Sequence, residues 1–453
     1  MQSDVFNQDV TLQDAGALEA WNATALGFLT HAGATPGHLA DCLNAAPDFA
    51  LGHAAKGLFC MLGGQRELVE TARVALEAAK ASSEATPVSL REAAFIQALQ
   101  HWLDGSLSKA TLCLEEQLRA TPTDTLASKM SHAMRFLVGD AQGMRSAIEK
   151  VLPAYGDEDR GIGFIEGCYA FALEETGCYQ QAERTGRRAM TRNRDDAWGL
   201  HAVSHVHEMT VNPQAGLDWL EAREGSWAHC LNFRYHVWWH KALIHLDLGQ
   251  YDRVLDLYDA EIRREKTDDY RDIANATSLL SRLEADGIAV GDRWEELADL
   301  GEKRAEDGAS VFADLHYMLA LVADNRGDAI SRLMTRMETD AGRRKSELER
   351  IMAQPGLSAA KGLDALGHGD AAQAFAHLCH ARRDMDLVGG SRAQRDVFER
   401  LTIDAGIRAG LFEDAQNILM ERTRRRAGRE DGFTAARMAL ISDGLASDFQ
   451  LIA

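Results

Sequence analysis

A glycine followed five residues later by a small apolar residue recurs along this chain, and it limits the fold more than any other feature. It appears as Gly105-SLSK-Ala110, Gly177-CYQQ-Ala182, Gly249-QYDR-Val254, Gly369-DAAQ-Ala374 and Gly410-LFED-Ala415. The first three glycines are 72 residues apart, which is two units of 36. The flanking segments, such as REAAFIQALQHWL, KATLCLEEQLRA and ADLHYMLALVAD, carry apolar residues at three- and four-residue spacing. That is the period of a helix with one buried face. Glycine at such a point takes the left-handed turn that ends one helix. The small residue five positions on lets the returning helix come close. Only seven prolines occur, and alternating β-branched runs are almost absent, so the chain reads as all-α.

The repeated hairpin resembles the tetratricopeptide unit, a helix–turn–helix of about 34 residues. Pro122, twelve residues after Ala110, falls where the next unit should begin. The expected fold is a tetratricopeptide-like α-solenoid, strongly curved or closed around an internal polar pocket. No low-complexity linker separates domains, so residues 1–453 are expected to form a single helical-repeat domain. Residues 160–265 hold the best-formed repeats, and 357–453 hold C-terminal hairpins. Ala341–Gly356 reads as a break between helices, and the basic run Arg422–Arg429 as a solvated helix end.

Charge narrows the function classes. Lys and Arg total 49 against 69 Asp and Glu, a net charge of −20. That argues against a nucleic-acid partner, which needs basic surface, and against docking on anionic membrane. The seven cysteines include no CxxC pair, and unpaired thiols in a large chain fit the cytoplasm. The first sixteen residues lack the basic and apolar regions of a signal peptide, and no stretch approaches ~18 uninterrupted apolar residues. A cytoplasmic location without nucleic-acid or membrane partners is therefore expected. A small molecule or a peptide is the expected partner, and a homo-oligomer is compatible with all of this.

One segment stands apart. Seven of the sixteen histidines lie between His201 and His245, and five of the eight tryptophans between Trp198 and Trp239. Asp195 or Asp196 is placed to cap the first helix there. At about 100° per residue, Trp198, His201, His205 and Glu208 share one sector of that helix, with His207 pointing away. Asn212-Pro213 ends the helix and starts the next. A third helix, roughly 232–248, sets Asn232, His236, His240 and Asp247 on one face, with Trp239 beside them and His245 opposite. In a hairpin array both helices face the same space. Any single histidine there is more simply a hydrogen-bonded, space-filling residue than a ligand. Clustered polar groups nevertheless need partners, and the i, i+4 spacing suits a divalent metal held by His201, His205, Glu208, His236 and His240. No HExxH motif occurs, which excludes a zinc-protease reading. No metal site is predicted from these spacings alone, and the cofactor stays open.

The string DAWGLHAVSHVHEM resembles the tetratricopeptide repeat protein 38 family, of which the chain looks like a bacterial member. The family pattern falls on Asp196, Ala197, Trp198, His201, His205, Glu208 and Met209, then on His236, Trp239 and His240. A later family string, Gly-Gly-Ser-x-Ala-Gln-Arg-Asp-Val-Phe, matches Gly389 to Phe398. Weaker matches lie at Gly52-His53, Pro122 to Asp124, Ser131-His132, Asp272 and Asp314 to His316. Asn275 departs from the pattern, where an acid is expected in many relatives. The resemblance implies a helical-repeat fold and no settled activity, so function rests on the site.

In the late string, Ser391 and Gln394 form a capping box, and Arg395 sits in the first helical turns against its dipole preference. It is paired with an acid or aimed at an anionic ligand.

Three functions compete. One is a ligand-binding module that uses Trp198, His201, His205, Glu208, Asn232, His236, Trp239, His240, Asp272 and Arg395. Another is an enzyme, with His201, His205, His236 or His240 as acid or base oriented by Glu208 or Asp272. Cys168, Cys230 and Ser391 are its nucleophile candidates. The third is a protein–protein interaction scaffold in which the polar cluster is internal glue.

Overall fold

The computed structural model describes residues 2–452, with side chains over residues 2–446. Helices pair across the five glycine turns. Leu90–Leu103 returns as Leu107–Ala120, Ile162–Glu175 as Tyr179–Arg192, and Phe233–Asp247 as Tyr251–Leu257. Leu357–Gly367 returns as Ala371–Arg382, and Arg392–Arg408 as Phe412–Arg425. All five glycines hold φ between 68° and 81°, where an L side chain is strained. The small residues that follow, Ala110, Ala182, Val254, Ala374 and Ala415, are 0 % exposed, so each sits against its partner helix. Among the described residues the only paired strands are Gln2–Ser3 and Asp9–Val10. The fold is an all-α, tetratricopeptide-like helical repeat. No helix of the described residues is long and apolar enough to cross a membrane.

The chain forms two compact units. The first comprises Met1–Val203 and Arg223–Arg234, the second Ser204–Ala222 and Tyr235–Ala453. The boundary falls within the helix Ala197–Met209, after Val203. In the first unit, buried Arg91 reaches Asp4 at 2.9 Å and Asp124 at 2.7 Å, tying the N-terminal segment to two helices.

The second unit has a continuous core that includes Trp239, Ile273, Leu280, Leu315, Met318 and Val397. Fully burying each such side chain contributes about 1.5–3 kcal/mol, so apolar packing sets the helix positions. A smaller core under the C-terminal hairpins gathers Phe375, Ile403, Leu419 and Phe433. Three guanidinium groups face the Phe433 ring, from Arg437 at 4.4 Å, Arg400 at 4.6 Å and Arg422 at 5.0 Å. The segment 341–356 contains the short helix Glu347–Ile351, capped by Ser346, and runs on into Leu357–Gly367.

Candidate functional site

Asp196 caps the helix Ala197–Met209 through the backbone N–H groups of Trp198 and Gly199, and burial pushes its carboxyl up to about 7. In the first unit Trp198 centres an aromatic cluster. Its ring lies 4.7 Å from Phe171, 5.5 Å from Phe233, 5.7 Å from His132 and 5.8 Å from His31. The Lys129 ammonium sits 4.3 Å from the same ring, a cation–π contact. His201 uses Nδ1 on the Trp198 carbonyl at 3.0 Å and stacks on Phe171 at 5.2 Å. His132 is buried with no hydrogen-bond partner, and burial, then Lys129, holds it well below the usual imidazole range. Asn232 was expected on the face of the third helix. It instead lies one residue before that helix begins at Phe233, half-buried in the first unit.

The second unit brings together His205 and Glu208 from one helix with His236 and His240 from Phe233–Asp247. The i, i+3 spacing of the first pair and the i, i+4 spacing of the second put each on one face of its helix. His240 Nδ1 lies 3.2 Å from Glu208 Oε2, and His236 Nδ1 lies 3.0 Å from Asn275 Oδ1. The two Nε2 atoms face each other at 3.2 Å. One nitrogen from each of His205, His236 and His240 lies within 4.8 Å of the others. His205 and His240 are buried, while His236 keeps partial access to solvent. Burial pulls His236 down to about 4 against the Asn275 bond, and His240 is held well below its usual range by burial and its two histidine neighbours. Asn275 therefore stands in the site, its side-chain oxygen toward His236, where the sequence reading expected an acid in relatives.

Other candidates lie elsewhere. His245 pairs through Nδ1 with Gln250 at 2.6 Å, and His207 packs beside Gly216. Asp272 was expected to orient a histidine but accepts from the Thr267 hydroxyl at 2.6 Å. Burial, then Asp269, pushes its carboxyl up to about 7. Trp239 is fully buried, with the His236 ring stacked on it at 5.3 Å. Burial raises the Cys168 thiol to about 11 and Cys230 to about 12, so neither is a ready thiolate. The Ser391 hydroxyl accepts from the Gln394 N–H at 3.2 Å in its capping box.

Arginines dominate what sequence reasoning missed. Arg282 is 2 % exposed and donates to the Ser278 carbonyl at 3.1 Å and the Ala393 carbonyl at 2.7 Å. Its guanidinium carbon lies 5.6 Å from the centre of Trp239. Burial, then Arg400, pulls it down to about 9. The run Arg422–Arg429 is not simply a solvated helix end, because Arg422 and Arg426 are buried. Arg422 grips Asp396 at 2.6 Å and Asp431 at 2.7 Å, and Arg426 donates to the Glu208 carbonyl at 2.9 Å. Arg395 bonds the carbonyls of Gly389 and Gly390 and pairs with exposed Asp386 at 2.9 Å. It lines a cavity of about 310 Å³ in the second unit, with Met209 on its wall. Seven arginines, including Arg392, Arg395, Arg422, Arg425 and Arg426, face that cavity against four carboxylates. Neither Arg282 nor Arg426 carried a periodic or motif signal.

No family model matches the chain. Among solved structures it is similar to a human IFIT1 dimer with PPP-AAAA, at TM-score 0.42 and 11 % identity, over 99 % of this chain and 98 % of that one. It is also similar to a human IFIT1 dimer with m7Gppp-AAAA, at TM-score 0.36 and 12 % identity, over 88 % and 90 %. A third is Naa15/Naa10 bound to HypK-THB, at TM-score 0.25 and 12 % identity, over 89 % and 68 %. The expectation that nucleic acid is excluded as a partner is overturned by the first two, whose bound molecules are PPP-AAAA and m7Gppp-AAAA. The physical fault in that expectation is that a net charge of −20 is a sum over the chain. Phosphate groups respond to local charge, which around this cavity is positive.

Proposed function

We propose that this helical-repeat protein binds a small anionic ligand through the second unit, with the arginine-lined cavity holding its charged group. The observation that carries the reading is the excess of seven arginines over four carboxylates around one cavity. Guanidinium groups form planar, bidentate contacts with carboxylate and phosphate oxygens. Arg282 supports the same reading, since it is a buried cation whose hydrogen bonds go to main-chain carbonyls. Arg426 ties the cavity wall to Glu208 and so to the histidine face. Membership of the tetratricopeptide repeat protein 38 family belongs to this proposal, supported by the strings at Asp196–Met209, His236–His240 and Gly389–Phe398. A reducing, cytoplasmic setting is supported by seven free cysteines.

The test is titration calorimetry with tripolyphosphate and with 5′-triphosphorylated tetraadenylate, each against acetate, on the full chain and on Arg395→Met. Binding that is lost in the variant at unchanged melting temperature supports the cavity. A lower melting temperature with unchanged affinity makes Arg395 a tie for the Gly389-Gly390 turn and overturns the reading. An acid–base enzyme is the second reading. The observation that favours it is the carboxylate-oriented imidazole of His240, 3.2 Å from Glu208.

A further inference from the structure

The two imidazoles that face each other in the second unit present an electrostatic problem. Glu208 Oε2 is an acceptor when ionised, so the His240 Nδ1 beside it at 3.2 Å carries the ring proton. Asn275 Oδ1 is also an acceptor, so His236 Nδ1, 3.0 Å away, carries its proton as well. Both rings then direct an unprotonated Nε2 at the other, and those atoms are 3.2 Å apart. Two lone pairs at that distance repel unless a positive charge lies between them.

A metal ion fits the spacing. Imidazole nitrogens bind zinc at about 2.0–2.1 Å, and two of them on a tetrahedral centre are about 3.3 Å apart. A nitrogen of His205 lies within 4.8 Å of both. The oxygen behind each Nδ1 is the usual outer partner of a metal-bound histidine, fixing the tautomer and the ring plane. Arg282 acts against a dication here, and Glu208 acts for it through the His240 ring. An all-imidazole donor set favours zinc, copper, nickel or iron over magnesium or calcium. Partly exposed His236 gives an ion a route in from solvent.

We infer that His205, His236 and His240 bind one divalent first-row transition metal, with Glu208 and Asn275 as positioning residues. The site uses none of the cavity arginines, so it stands independently of the anion reading. Its competitor is a dry chain of hydrogen bonds. Reversing the Asn275 amide would let its N–H donate to His236 Nδ1, and His236 Nε2–H would then donate to His240.

The experiment uses the full chain, purified without chelator and dialysed against zinc or cobalt. Elemental analysis should give about one equivalent per chain, and cobalt should produce visible d–d absorption. His236→Ala and His240→Ala should each lose that equivalent, while His207→Ala keeps it. Asn275→Asp should tighten zinc binding by about tenfold, in line with outer-partner effects. Nitrogen-15 spectra of the zinc-loaded protein provide a reading that needs no variant to fold. Both rings protonated at Nδ1 support the site, whereas His236 protonated at Nε2 shows the dry chain and overturns it. Folded protein with under a tenth of an equivalent, or zinc retained equally in His236→Ala, also overturns it.

Discussion

Beside Trp198 in the first unit, His31 and His132 are packed as aromatic plates, whereas His236 and His240 in the second unit are pinned by oxygen atoms. Around Trp198, His31 and His132 lie 5.8 Å and 5.7 Å from the indole, and His132 has no hydrogen-bond partner. Around His240, Nδ1 meets Glu208 and the next ring is held by Asn275. The helix Ala197–Met209 contributes to both, with His201 on Phe171 and His205 beside His240. One i, i+4 face thus meets two surroundings, an aromatic ring at His201 and a second imidazole at His205. Spacing chooses the face, and the residues packed opposite choose the role.

The largest effect expected from breaking this contrast is on the second unit's ion network. Arg422→Met removes one guanidinium from each of buried Asp396 and Asp431, leaving Arg400 on the first and Arg426 on the second, and the loss of two charge-assisted pairs should cost about 3–5 kcal/mol in urea melts. Against the push of burial, Arg422 and Arg400 hold Asp396 well below the usual carboxylate range. A depressed carboxyl stabilises the fold above its unfolded pKa of about 3.9 and loses that contribution as pH falls further. The wild-type advantage over Arg422→Met should therefore shrink below about pH 4. No change of the difference with pH would break the idea.

Next in size is His240→Phe, which keeps an aromatic ring but removes the Glu208 contact. It should destabilise by about 1–3 kcal/mol. The matching change in the first unit, His132→Phe, removes a buried imidazole that has no partner. It should shift stability by less than about 1.5 kcal/mol, toward gain. Equal costs for the two would erase the distinction between plate and donor.

A finer comparison uses Asp196, raised to about 7 by burial. A raised carboxyl contributes its full stability below the unfolded pKa of about 3.9 and loses it as pH rises through the folded value. Asp196→Asn keeps an N-cap residue, so it should match wild type within about 1 kcal/mol near pH 4. It should then become the more stable protein as pH rises from about 4 to about 7, with the difference level above that. Thermal melts at both ends of that range read the crossover.

The turns were legible because Gly-x-x-x-x-Ala is a local signal that needs nothing distant. The convergence of His205, His236 and His240 was legible because helical period sets the face of each helix and the hairpin register turns both faces to one space. Their partners were not. Asn275 lies 39 residues from His236, and Arg426 reaches Glu208 across 218 residues. Arg395 was expected in the cavity of His236 and His240, and its cavity borders Met209 and Arg426 instead. Arg282 gave no signal, since an arginine in a helix ordinarily points to water.

Four of the glycine turns form an internal standard. At Gly177, Gly249, Gly369 and Gly410 an added Cβ would meet no atom within 4 Å, and all four hold φ between 68° and 81°. Replacing any of them by alanine changes backbone conformation and leaves packing untouched. The same exchange made four times therefore gives replicate readings of one quantity, about 1–2 kcal/mol for an L residue held left-handed. Scatter among the replicates would then report how tightly each neighbourhood couples its own turn to the melting of the unit that carries it.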